Sequence, residues 1–193
     1  DERVDRMLAL LPDDSFTRYY GDYMREVTDS PLAFHLVGAL AALSATAPPD
    51  YGMWAGSKMV HASLFLLAVG RSGRERKTTA TAKPREMLFH VNPFLLGPRP
   101  GSAAGLHESL TKRPKQALFY DEFGDFLAGT GDANTRLLKM TLNQAYDGNI
   151  EATTLAKKAT KDGFQDHDRG EVRNVRLTIC AACSLSYIET LVR

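Results

Sequence analysis

Cysteine is scarce, with two residues in a chain of 193, too few for a disulfide framework or for a zinc site built of thiolates alone. The five histidines, His35, His61, His90, His107 and His167, show no i, i+4 pairing, so no metal-binding helix face is expected. Charge of one sign is also lacking. The formal net charge is +1, so no global field marks a nucleic-acid binder, and any such role must rest on local patches. No apolar run approaches the ~20 residues that span a membrane, and nothing at the start resembles a secretory signal. A cytoplasmic protein with no membrane partner is the expectation. The chain opens on Asp1 instead of methionine, which reads as part of a longer protein.

What is present is a core-forming composition, 44% hydrophobic and 24% charged, of a length suited to one unit. The most informative stretch is residues 64–79. A continuous apolar run enters a loop carrying Gly70 and Gly73 with Arg71, Arg74 and Arg76, then Lys77, Thr78, Thr79 and an alanine-rich helix start. A strand, a glycine-bearing turn and a helix N-terminus together form a phosphate cradle, because backbone N–H groups and the helix dipole both favour an anion there. In such a loop Gly70, Ser72, Gly73, Arg74, Arg76, Lys77, Thr78 and Thr79 hold the nucleotide. Lys77 reaches the β- and γ-phosphates, and the Thr78 hydroxyl ligates Mg2+. The spacing departs from G-x-x-x-x-G-K-[ST]: Gly70 lies one residue further from the lysine, and Arg76 replaces the glycine before it. That glycine normally permits a backbone conformation unfavourable to other residues, so the loop is expected to follow a different path.

A second segment, Ala117 to Glu122, is a short apolar run ending in two adjacent carboxylates. At the end of a buried parallel strand, Asp121 serves the magnesium shell and Glu122 orients a water for in-line attack. Phosphoryl transfer needs mainly positioning and charge neutralisation. Cys180 and Cys183 lie within the apolar run 175–184 and read as small buried strand residues.

The segments GRSGRERKTTA (70–80), LFYDEFGDFL (118–127), LLKMTLNQAYDGN (137–149) and VRLTICAACS (175–184) resemble, in the same order, a family of RecA-like P-loop ATPases of bacteria, plasmids and phages. Members often stand beside primase-type domains and are described as primase-helicase or replication-type proteins. The resemblance covers roughly residues 30 to 190. In that family an arginine commonly stands next to the lysine, which accounts for Arg76. It implies an α/β fold, a RecA-like P-loop three-layer sandwich with a mostly parallel sheet. An N-terminal helical segment (1–50) precedes the core (51–193). It further implies that the strand ending at Ser184 lies between the phosphate-loop strand and the Asp-Glu strand, where Ser184 senses the γ-phosphate. A full domain of this type carries at least one more strand, so its last part is expected beyond this chain.

Punctuation sets the remaining elements. Val4, Met7, Leu8 and Leu11 share a helix face, and Ser15 caps a second helix carrying Phe16, Tyr19, Tyr20 and Tyr23. A third helix, apolar on nearly every side, runs from Ser30-Pro31 to about Thr46. The core follows as a strand over 62–70, a helix over 78–89 with Pro84 inside it, an exposed connection over 93–105, a helix over 103–112, and a helix over 135–146. Lys112-Arg113-Pro114-Lys115 reads as a solvated basic turn. Residues 150–168 read as a β-hairpin with a Gly163-containing tip ahead of the strand 175–184, and Asp166-His167-Asp168 reads as a solvated loop. Its Lys157, Lys158 and Lys161 are candidate phosphate contacts to DNA, by analogy with the channel loops of ring helicases. Arg173 and Arg176 are candidate arginine fingers with ordinary surface explanations.

The combined expectation is an ATPase using ATP and Mg2+, acting as a helicase on single- or double-stranded DNA within a homo-oligomeric ring. Two other classes stay open: a nucleotide-gated regulatory or defence ATPase that unwinds nothing, and a P-loop small-molecule kinase.

Overall fold

The computed structural model describes residues 2–48, 50–71, 73, 75–124, 133–151, 153–154, 158–160, 163–165 and 168–192. Helices α1 (Glu2–Ala9), α2 (Phe16–Val27) and α3 (Leu32–Thr46) come first. Val4 and Leu8 bury one face of α1 against Leu36, while Met7 stays 48% exposed. Ser15 caps α2 as expected, its hydroxyl accepting the Arg18 N–H at 3.3 Å. Helix α3 buries His35, Leu36, Ala39, Ala41, Ala42 and Ala45, but Leu40 and Leu43 remain about two-fifths exposed. It is therefore a helix with one open edge and not one enclosed on all sides.

A hairpin follows that the sequence reading passed over: β1 (Gly52–Ala55) pairs antiparallel with β2 (Lys58–His61) around Gly56, whose φ is +64°. Gly56-Ser57 between two short runs was the available signal. Strand β3 (Phe65–Gly70) begins three residues later than expected, and α4 (Lys77–Val91) continues straight through Pro84. A Cβ added to Gly38 of α3 would stand 2.8 Å from Pro84 Cγ and 3.1 Å from the Ala80 carbonyl. The two helices thus cross at a glycine on one side and a proline on the other. After a short 3-10 turn (Pro93–Leu95), Leu96 makes a parallel bridge to Ala117, so this connection lies along the sheet edge before α5 (Ala103–Lys112), capped by Ser102.

Strand β4 (Lys115–Tyr120) and helix α6 (Ala133–Tyr146) lead into nested antiparallel pairs: β5 (Asn149–Ile150) with β10 (Val172–Arg173), β6 (Thr153–Thr154) with β9 (Asp168–Arg169), and β7 (Lys158–Thr160) with β8 (Gly163–Gln165). Together they form one long hairpin, as the polar stretch implied. Its foot is tied to α5 by His107 Nε2, which lies 2.9 Å from the Gly170 carbonyl. Strand β11 (Arg176–Ser184) and helix α7 (Leu185–Val192) end the described chain. Among the described residues no helix is long and apolar enough to cross a membrane.

The main sheet is parallel in the order β3–β11–β4. Its central strand is buried from Leu177 to Cys183, which explains the uninterrupted apolar run of a strand covered on both faces. Alternation assigns the faces. Leu118, Tyr120, Leu177, Ile179 and Ala181 pack with Leu106, Leu110, Leu138 and Leu142 of α5 and α6. Ala117, Phe119 and Cys180 pack with Ala41, Ala42, Ala45 and Leu88 of α3 and α4. Ser44 of α3 and Thr178 share a buried hydroxyl pair at 2.6 Å. The basic turn before β4 is not merely solvated, since Arg113 donates to the Phe94 carbonyl at 3.0 Å and Lys115 to that of Ala47.

His35 is 1% exposed, 6.4 Å from the Tyr20 ring, and neither ring nitrogen has a hydrogen-bond partner among the described residues. Burial lowers its pKa from the ordinary value of 6.5. Below that pH the unfolded chain binds the proton more readily than the folded one, so stability falls as pH falls from about 6.5 toward the depressed native value. The melting temperature of wild type is expected to drop between pH 7.5 and 5.5, and His35→Phe to remove most of that slope. Equal slopes in thermal melts would contradict it.

Candidate functional site

Parallel register decides which loops meet. Gly70 at the end of β3 faces Ser184 at the end of β11, Tyr120 at the end of β4 faces Ala181, and the Phe123 N–H donates to the Ala182 carbonyl at 2.8 Å. The glycine loop, Ser184 and the Asp121-Glu122 pair therefore leave the sheet at the same carboxyl edge, with the outer strands two spacings, about 10 Å, apart. That edge is where ligands of open parallel sheets bind.

Lys77 opens α4 and is only 7% exposed. Its Nζ donates to the Gly70 carbonyl at 2.9 Å and the Arg71 carbonyl at 3.0 Å, so the ammonium is folded back over the loop that precedes it. Arg76, the residue in place of the motif's glycine, is the N-cap and adopts φ 40°, ψ 40°, the left-handed region. The backbone shape that glycine usually supplies is kept, at a cost of roughly 1–2 kcal/mol for a residue with a Cβ. Surrounding contacts hold it there: the Ser30 hydroxyl donates to the Glu75 and Arg76 carbonyls at 3.4 and 3.3 Å, and the Arg76 guanidinium pairs with Asp29 at 2.8 Å. Among the described residues no side chain caps α4, which leaves its first turn as an anion-accepting terminus. Thr78 is exposed and Thr79 half-buried. Gly73 takes φ +74°.

At the other strand end, Asp121 is paired with Arg99, whose Nη2 lies 2.8 Å from Oδ2. Arg99 also donates through Nε to the Phe119 carbonyl at 2.9 Å and lies over the Tyr120 ring, 5.7 Å from its centroid. Burial pushes the Tyr120 hydroxyl up to about 12, against the opposing pull of the Arg99 charge. Glu122 is exposed. Burial raises the Cys183 thiol, the Glu122 carboxylate raises it further, and the Ser184 backbone and the Lys77 ammonium oppose the rise. The register places the lysine's loop and the strand that ends before Glu122 on either side of the same end of β11.

The remaining candidates separate. Ser72, Arg74, Lys157, Lys161 and His167 lie outside the described residues, and Lys158 sits in β7 opposite Gln165. Arg173 is paired with Glu171 at 2.8 Å, and Arg176 starts β11 and bonds the Pro48 carbonyl at 3.2 Å. Both stand at the far end of β11 from Ser184, so neither serves this edge within the same chain. Cys180 and Cys183 are free, buried and three apart in one strand, so they face opposite sides of the sheet. A cavity of 210 Å³ lined by Met59, His61, Tyr146 and Val175 also lies at that far end.

The chain matches no family model, no curated protein and no solved structure. The site thus rests on its own geometry. Two of its members escaped the sequence reading. Arg99, between Pro98 and Pro100, is brought to Asp121 only by the connection lying along the sheet. Glu75 is set inside the loop, where its Oε2 accepts the Arg71 N–H at 2.9 Å.

Proposed function

We propose that this chain is an ATP-hydrolysing domain of the RecA-like P-loop type, serving as the motor of a replication-type helicase that acts on DNA as a homo-oligomeric ring. The observation that carries the ATPase reading is the parallel register, which brings the Gly70 loop with Lys77 folded over it, Ser184, and the Asp121-Glu122 turn to one carboxyl edge of the sheet.

The residues present fit a magnesium-bound triphosphate. The lysine is buried with one of its three donor positions unspent on the two carbonyls it contacts. Among the described residues the first turn of α4 has no capping side chain, and an open groove lined by Arg25, Asp29, Arg76, Thr79 and Lys83 lies beside that turn. In this reading Lys77 and the loop amides hold the phosphates, Thr78 and Asp121 hold Mg2+, and Ser184 hydrogen-bonds the terminal phosphate. The metal, when bound, neutralises charge developing on the phosphate oxygens. Glu122 is exposed and able to orient a water and accept its proton. Arg99, ion-paired with Asp121, restrains that carboxylate.

Support for the nucleic-acid half is the nested antiparallel pairing that places Lys158 in β7 opposite Gln165, together with the family resemblance. The second reading, a nucleotide-gated regulator, draws on Lys77 being folded onto its own loop. Phosphate release measured with and without single-stranded DNA separates them. Stimulation by DNA is expected, whereas equal rates would favour the regulator.

A further inference from the structure

The phosphate loop is closed on an anion of its own. The Glu75 carboxylate accepts the Arg71 N–H, the first amide after β3 and one that any anion seated in this turn would use. A methyl group built on Gly70 would stand 2.0 Å from Glu75 Oε2, so the carboxylate lies directly over the glycine that ends the strand. Lys77, the cation suited to answer a phosphate, donates instead to the Gly70 and Arg71 carbonyls. One amide of the cradle and its lysine are thus engaged by the chain itself.

Resting on the nucleotide reading above, we infer that Glu75 is a specificity-determining residue of the loop, an internal anion that an incoming ligand must displace, and that it selects linked phosphates over single ones. A lone phosphate exchanges one anion for another at the Arg71 amide and gains little. Two or three linked phosphates reach past that amide to Lys77 and to the uncapped first turn of α4, and these added contacts offset the displacement. The carboxylate, once expelled, lies beside Arg71 and Arg76 at the exposed rim.

The test is calorimetric titration of wild type, Glu75→Gln, Glu75→Ala and Lys77→Ala with inorganic phosphate, pyrophosphate and ATP. Glutamine keeps the shape and the acceptor and removes the charge, and melting curves confirm that each variant is folded. Wild type is expected to bind pyrophosphate and ATP but not phosphate. Glu75→Gln is expected to bind all of them, with ATP about tenfold tighter, the effect of removing one like charge close to an anion in a half-buried site. Unchanged or weaker binding in both Glu75 variants, with binding lost in Lys77→Ala, would overturn the inference and leave the nucleotide reading standing. No binding of any of these ligands by wild type or by the Glu75 variants would overturn both.

Discussion

Lys77→Ala is expected to lower ATP turnover by about 10²–10³-fold, the loss seen when one preorganised charge donor is taken from a transferring group. The effect should appear in binding as well as in rate, because the ammonium is the buried cation of the loop. The side chain also ties the Gly70 and Arg71 carbonyls together, so removal loosens the turn. Lys77→Arg separates the contributions: it keeps the charge but cannot reproduce a compact ammonium between two carbonyls. Melting curves alongside phosphate-release rates check the assignment. Wild-type turnover in a folded Lys77→Ala protein would remove Lys77 from the site.

Glu122→Gln is expected to have the opposite profile. ATP binding should persist within about twofold, while hydrolysis falls by about 10²–10⁴-fold, the range associated with a positioned general base. Glu122 is exposed and makes no hydrogen bond or ion pair among the described residues, so the variant should melt like wild type. Asp121→Asn offers the contrast, since Asp121 is paired with Arg99 and its loss should shift the magnesium concentration needed for turnover. Equal hydrolysis by wild type and Glu122→Gln would assign water activation to another group.

Much of this site was legible in the sequence because its signals are local. A strand emptying into Gly70, a lysine followed by threonines, and an apolar run ending in Asp121-Glu122 each follow from residue type within a few positions. The place of β11 between β3 and β4 came from the family resemblance, and the observed strand order agrees. What escaped depends on distant contacts. Arg99 has no motif of its own and gains its role only where the connection bridges Ala117. Glu75 looks like one more polar residue of a charged loop, and nothing in its spacing shows that its carboxylate folds back over Gly70. Arg76 looked unfavourable to the loop; Ser30 and Asp29, far away in sequence, hold it in the left-handed region. The β1–β2 hairpin carried a weak turn signal, while Pro84 lies inside α4, its ring packed where Gly38 of α3 leaves room.

The central claim is that Lys77, Thr78, Asp121 and Glu122 converge on one magnesium triphosphate at the carboxyl edge of the sheet. A crystal structure of the chain with Mg2+ and a non-hydrolysable ATP analogue tests it most directly. The account predicts phosphates between the Gly70 loop and the end of β11, Lys77 Nζ drawn off its two carbonyls, and the metal flanked by Thr78 and Asp121. A nucleotide bound elsewhere, with Lys77 still on the Gly70 and Arg71 carbonyls, would contradict it.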